Sequence, residues 1–400
     1  MEPVAKQAIT NNRITVIDAI RGITLIGICM THALQHFGAF TSTAPPPLPW
    51  IGTMDSILSW ILQYFIMGKF FIIFSFLFGL SFFIQMDNAA KKGIDFRGRF
   101  FWRLIILFII GLIHSALFRN DILIIYALLG VPLIFMYKLS NKWLIAISIF
   151  FLLGGTQLSN IVYKSIAPEI LSTITETMTE RRGRWQEIFF NGSILTNIQH
   201  NLSEQLHFKF NFQFGEYGRG YMTMGFFILG LLAGRLRLFE KLEKYKNQIY
   251  RLAWMALGAV ILLYIIKPIL PAQHGNPIAE WLVIPLDNLI NLLAAYLWLA
   301  VIIVIYSKET MQKKLSKLES YGRMGLTNYM VQSILGVFIF YGYGFGLYDL
   351  GIFLSVMICL GYTMLQIQLS HMWLQKFRYG PIEWLWRSGT YLKWQKLIKS

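Results

Sequence analysis

Apolar residues fall along this chain in long runs separated by short basic stretches. Ten runs have helical length, at approximately 15–38, 56–86, 98–118, 121–138, 142–159, 219–239, 248–270, 281–306, 322–345 and 348–371. A helix crosses a bilayer in about 20 apolar residues, so each run predicts a membrane-spanning helix. The second run is too long for one straight crossing and predicts a break or tilt near Gly68–Lys69. The third and fourth are joined by almost nothing and predict a tight hairpin. The fold class that follows is all-α: a polytopic integral membrane bundle of about ten transmembrane helices over 1–372, with an amphipathic tail over 373–400.

Composition agrees. Of 400 residues, 56% are hydrophobic and 14% charged, with a mean hydropathy of +0.52; a soluble chain carries about 25% charged residues. The net charge of +16 raises the question of nucleic acid, but the cations cluster in the short loops between apolar runs. That is how membrane proteins set their orientation, so a nucleic-acid partner is not expected. Lys6 and Arg13 precede the first run, and Lys91, Lys92, Arg97 and Arg99 follow the second. Arg235, Arg237, Lys241, Lys244 and Lys246 follow the sixth, and Lys308, Lys313, Lys314 and Lys317 the eighth. With ten alternating spans these loops share one face, which predicts cytoplasmic N- and C-termini. The long loop of about 160–218 then lies outside and predicts short amphipathic helices on the outer face. The start of the chain shows no cleavable-signal pattern. Cys29 and Cys359 sit in apolar runs without CxxC spacing, so neither a disulfide framework nor a metal site is expected. The tail "FRYGPIEWLWRSGTYLKWQKLIKS" alternates aromatic anchors and cations, as an interfacial helix on a lipid surface does.

The first run carries the main chemical puzzle. Asp18, Arg21, His32 and His36 recur with Leu25 and Ile28 every three or four positions, forming one stripe on one helical face. Arg21 and His32 lie within about 20° of each other around the axis and roughly 16 Å apart along it. Ionisable groups at membrane depth are costly and mark functional sites by default. Asp18 and Arg21, at i and i+3, also suit a simple ion pair.

The segments "IDAIRGITLIGI", "FSFLFGLSF", "RGRFFWRLIILFIIGLIHSALFRNDILIIYALLG", "FFILGLLAGR", "GRMGLTNYMVQSILGVFIFYGYGFGL" and "FRYGPIEWLWRSGTYLKWQ" occur in this order. Together they resemble the YeiB-like family of bacterial inner-membrane proteins. The resemblance spans nearly the whole chain except 160–210. That family is similar to the transmembrane acyltransferase superfamily, whose members carry acyl groups from cytoplasmic acyl-CoA to an acceptor across the membrane. One branch of it has the Arg21-to-His32 spacing in its first helix. The chain departs from many YeiB-like members in having His32 where they have asparagine.

The resemblance implies an acyl-CoA donor, acetyl-CoA foremost, and an acceptor such as a glycan or lipid. Arg21, Arg323, Gln332 and Arg378 are then expected to hold the donor, since guanidinium groups suit phosphate. His32, with His36 and Asp18, is expected to catalyse, as base or transient acyl carrier. Lys69, His114 and Asp121 are expected to line the acceptor entrance. Alternatives stay open at each point. Lys69 faces a cavity at a helix break or snorkels outward; His114 and Asp121 serve a ligand or cap the turn. Arg323, Thr327 and Gln332 line a channel or join helices by hydrogen bonds. Asp287, Asn288 and Asn291 form a polar cluster without assignment, and His200, His207, His274 and His371 read as loop or interface residues. A transporter or flippase is the competing reading of the whole chain, and a non-catalytic scaffold the third. Oligomeric state is not specified by any pattern.

Overall fold

The computed structural model describes residues 14–37, 48–155, 161–162, 165–166, 178–215, 218–269 and 277–399. Lys6, Arg13 and His274 lie outside these residues. The described residues are helical apart from turns and one isolated bridge between Phe377 and Ile398.

Every expected span coincides with a helix. The first is α1 (Thr15–His36). The second begins as α2 (Pro49–Ile61), passes into a π-helical turn at Leu62–Ile66 and ends. Gly68 then takes φ +82°, and α3 (Lys69–Ala90) starts afresh. A positive φ is strained for a side chain with Cβ, which is why the break falls on glycine. Next come α4 (Arg97–Leu117), α5 (Leu123–Met136) and α6 (Asn141–Leu152). The long loop supplies α7 (Met178–Asn191), α8 (Ile194–Leu202) and α9 (Glu204–Phe214). The second half contains α10 (Arg219–Arg235), α11 (Leu242–Ile266) and α12 (Pro277–Tyr306). It closes with α13 (Glu309–Arg323), α14 (Gly325–Phe340), α15 (Gly351–Lys376) and α16 (Pro381–Tyr391).

Among the described residues, six helical stretches are long and apolar enough to cross a membrane: 15–36, 49–90, 97–117, 242–269, 285–306 and 351–376. The other four expected spans are helices of 12 to 17 residues. At 1.5 Å per residue these reach roughly 18–26 Å, short of the ~30 Å hydrocarbon core. Six crossings, not ten, therefore stand on length and hydropathy. The surface has the polarity of a membrane protein: along α11 Trp254 is 74% exposed and Ile265 60%, an apolar face that water would not tolerate.

Small residues let the central helices approach closely. A Cβ on Gly79 would run into the backbone of Phe227, and one on Gly230 into the backbone of Phe76, so α3 and α10 meet nearly backbone to backbone. Gly22 and Gly322 do the same for α1 and α13. This is how helices associate where lipid supplies no hydrophobic drive. The tail also packs on the bundle. Trp386 Nε1 donates to the Arg103 carbonyl at 2.9 Å, and the Arg103 guanidinium lies over the Trp386 ring at 3.5 Å.

Candidate functional site

The two ends of the α1 stripe lie in different surroundings. Near the start, Arg21 Nη1 donates to Asp18 at 2.9 Å and to the Gly322 carbonyl at 3.5 Å, and Nη2 donates to Ser81 Oγ at 3.3 Å. Arg21 thus bridges α1 and α3 and reaches the break between α13 and α14. Next to that break, Arg323 Nη2 donates to the Arg378 carbonyl at 3.5 Å. Three arginines expected to hold a donor headgroup therefore gather around one bend. Gln332 is buried further along α14, its Oε1 accepting from the Tyr321 hydroxyl at 3.2 Å while Nε2 has no partner. Thr327 joins helices instead of lining a channel: its hydroxyl donates to Glu383 at 2.6 Å. Glu383 also accepts the backbone N–H groups of Leu326 and Thr327, at 2.6 and 3.0 Å. Burial pushes its carboxyl above the usual range, and these hydrogen bonds oppose the shift.

The far end of α1 opens on a cavity of about 850 Å³. His32 and His36 line it with their rings 5.6 Å apart. His32 is 7% exposed, and its Nδ1 has no hydrogen-bond partner. The Asn120 amide contacts both ring nitrogens of His36, with Nδ1 at 2.6 Å. Behind His32, across the ring of Phe118, His114 Nδ1 lies 2.8 Å from Asp121, both fully buried. The other Asp121 oxygen accepts the Ile124 N–H at 3.1 Å. Asp121 therefore caps α5 and holds His114 at once, so the capping role is present. With Asp121 accepting from Nδ1, the remaining His114 nitrogen, Nε2, is left without a partner. Asp121 reaches the cavity wall; His114 does not.

Lys69 also faces the cavity rather than snorkelling. It is 3% exposed, and its Nζ donates to the Gln63 carbonyl at 3.4 Å, just across the helix break. The polar cluster without assignment joins the same wall, where Asp287 pairs with Lys267 at 2.7 Å and Asn291 stands beside Gly68. Of the expected site residues, the cavity collects His32, His36, Lys69 and Asp121. Asp18, Arg21, Arg323, Gln332 and Arg378 lie outside it.

Several cavity residues have no counterpart among the expected ones. Arg119 and Asn120 come from the α4–α5 turn, Arg219 from the start of α10, and Gln205, Lys209 and Gln213 from α9. The last three recur every four residues and are 3%, 7% and 6% exposed. The stripe is visible in "QLHFKFNFQ", but a polar stripe is read as solvent-facing by default, and here it faces inward. Lys209 Nζ donates to Ser115 Oγ at 2.5 Å. Burial pulls its ammonium below the usual lysine value, with the charge of Asp121 opposing. His200, expected to be bland, accepts at Nε2 from Gln205 Nε2, 2.9 Å away, and burial lowers its pKa.

A family described as "Protein of unknown function (DUF418)" matches residues 233–393. The chain is 30% identical over 424 residues to "Uncharacterized protein YxaH" of Bacillus subtilis (strain 168), covering 98% of this chain and 97% of the relative. It is 25% identical over 405 residues to "Uncharacterized 39.9 kDa protein in amylase 3'region" of Bacillus acidopullulyticus, covering 98% and 96%. "Uncharacterized protein YeiB" of Escherichia coli (strain K12) is 25% identical over 400 residues, covering 94% and 95%. No solved structure matches. The similarity runs from end to end, and the chain belongs to the YeiB-like family.

Proposed function

We propose that the protein is an acyltransferase of the bacterial inner membrane, moving an acyl group, acetyl foremost, from cytoplasmic acyl-CoA to an acceptor on the outer side. Both termini then face the cytoplasm. One observation carries the reading: His32, buried in an apolar helix, lines a large cavity and has a ring nitrogen, Nδ1, without a partner. A neutral imidazole with a free nitrogen is what a general base needs. The donor enters at the Arg21–Arg323–Arg378 bend, with its phosphates on that side. Its pantetheine arm spans the roughly 16 Å between Arg21 and His32.

His32 takes the proton from an acceptor hydroxyl or amine as that atom attacks the thioester carbonyl. The tetrahedral intermediate collapses with loss of the CoA sulfur, which receives the proton from the imidazolium. The acceptor leaves as an ester or amide. His36, held by Asn120, fixes the edge of the cavity beside His32, and the His114–Asp121 pair stands behind it as a second candidate base.

A transporter or flippase is the second reading, favoured by the helix broken at Gly68 in the cavity wall, since discontinuous helices line transport sites. Turnover separates the two. Purified protein in lipid, supplied with acetyl-CoA and a membrane extract, should release CoA and label the extract. His32→Ala should lower that rate 10²- to 10⁴-fold while leaving acetyl-CoA binding in place. If neither CoA nor labelled product forms in any extract, the enzyme reading falls and transport takes its place.

A further inference from the structure

We propose that the cavity holds an acceptor that carries a phosphate group. Among the described residues, the cavity wall brings together five cationic side chains, Lys69, Arg119, Lys209, Arg219 and Lys267, and two carboxylates, Asp121 and Asp287. Both carboxylates are engaged: Asp287 by Lys267 at 2.7 Å, Asp121 by His114 at 2.8 Å and by a backbone N–H. Five cations against two carboxylates leave an excess of three positive charges, and that excess faces the cavity. Lys69 and Lys209 are 3% and 7% exposed, and the atoms their ammonium groups touch are a carbonyl and a hydroxyl. Arg219 lies over the ring of Phe71 at 4.2 Å. None of these three makes an ion pair among the described residues.

A buried cation without a counter-charge destabilises a fold. Lys69 and Lys209, both buried, and Arg219, half-buried, come from α3, α9 and α10 and converge on one space without an ion pair among the described residues, where a ligand anion supplies the missing partner. The volume fits an organic ligand and far exceeds a bare ion. Gln213 Oε1, in the same stripe as Lys209, has no partner and suits a hydroxyl of the ligand. The cations stand at the His32 end of α1, away from the arginines at the Arg21 bend, so the phosphate belongs to the acceptor and not to CoA. The assignment rests on the acyl-transfer reading for the word acceptor; the anion site itself does not.

The test needs neither CoA nor turnover. Thermal melting of the full-length protein is followed with sn-glycerol 3-phosphate, with glycerol and with sodium chloride at equal ionic strength. It is repeated in phosphatidylcholine nanodiscs with and without phosphatidylglycerol. Glycerol 3-phosphate or phosphatidylglycerol should raise the midpoint by about 2 °C at ten times its dissociation constant, and glycerol should not. Whichever phosphate source gives the shift identifies how the group is carried, in solution or on lipid. Lys209→Gln and Arg219→Gln should each abolish the shift, and Lys209→Arg should keep it. If Lys209→Gln does not fold, Arg219→Gln carries the same comparison. No shift from either phosphate source, or a shift that survives both substitutions, overturns the site. If Lys209→Gln instead weakens acetyl-CoA binding tenfold or more, the cavity holds the donor's phosphates and the acceptor assignment falls. A lasting phosphate shift with no acyl transfer leaves the site standing and removes the enzyme reading alone.

Discussion

At one end of α1, Asp18 and Arg21 satisfy each other and reach Ser81 and Gly322 on two neighbouring helices. At the other end, His32 and His36 border a cavity, and His32 keeps an unused nitrogen. In sequence the two pairs look alike: polar residues on one face of one apolar helix. What separates them is where the partners come from. Arg21 is closed off by Gly322, 301 positions away; His32 is left open by everything around it. A polar group inside a membrane bundle reads as structural when the fold itself satisfies it, and as a ligand contact when it does not.

The largest effect expected from breaking this contrast lies behind His32. Asp121→Asn keeps an acceptor oxygen for the Ile124 N–H but no longer fixes the tautomer of His114. If the His114–Asp121 pair serves the chemistry, CoA release should fall by 10²-fold or more with the melting point nearly unchanged. Turnover equal to wild type would reduce the pair to a helix cap. The next effect is on stability at the closed end. Arg21→Ala takes the cation from Asp18, which is 4% exposed, and should cost about 3 kcal/mol, measured by denaturant or thermal unfolding. Adding Asp18→Ala should recover part of that loss, the signature of a coupled pair. With the donor's phosphates at this bend, acetyl-CoA affinity should fall about 10- to 150-fold as well; unchanged affinity beside a lowered melting point would leave Arg21 a purely structural group.

Smaller still is the effect of Glu383→Gln, which removes the charge that receives two backbone N–H groups; about 1–2 kcal/mol of stability should go. The smallest is a pH effect at the open end. Burial lowers the pKa of Lys209, so its ammonium loses its proton at a pH below the ordinary lysine range. Binding of glycerol 3-phosphate should therefore weaken a few-fold as pH rises from 7 towards 10, and Lys209→Arg should flatten that profile. Lys69, Lys267, Arg119, Arg219, Asp121 and Asp287 face the same cavity, so the comparison with Lys209→Arg is what assigns the pH effect to Lys209.

The fold was largely legible because apolar run length is a local property. Even the break at Gly68–Lys69 could be read, since the apolar run over 56–86 is too long for a single straight crossing. The number of crossings was not, because Asn141–Leu152 and Leu123–Met136 are apolar yet too short, and only helix ends reveal that. At the site, the common face of Arg21 and His32 followed from periodicity alone. Which of the two meets a cavity depended on pairings hundreds of residues away. Gln205, Lys209 and Gln213 escaped for a different reason. A polar stripe on an amphipathic helix has the same spacing whether it meets water outside or a polar cavity inside. Gln205 and Lys209 also belong to the one region, 160–210, in which no motif of the family is read.

The clasp between Glu383 and the start of α14 has a consequence for how the chain is made. The first N–H groups of a helix have no acceptor within it. For Leu326 and Thr327 the acceptor is a carboxylate that the ribosome adds 57 and 56 positions later, after the whole of α15. Until then α14 exists with its leading donors open in a medium that offers few replacements. The clasp therefore forms only once residue 383 has been made. A chain interrupted between 340 and 383 would contain every cavity residue named here and still carry an uncapped helix, a mark by which membrane quality control can tell an unfinished copy from a finished one.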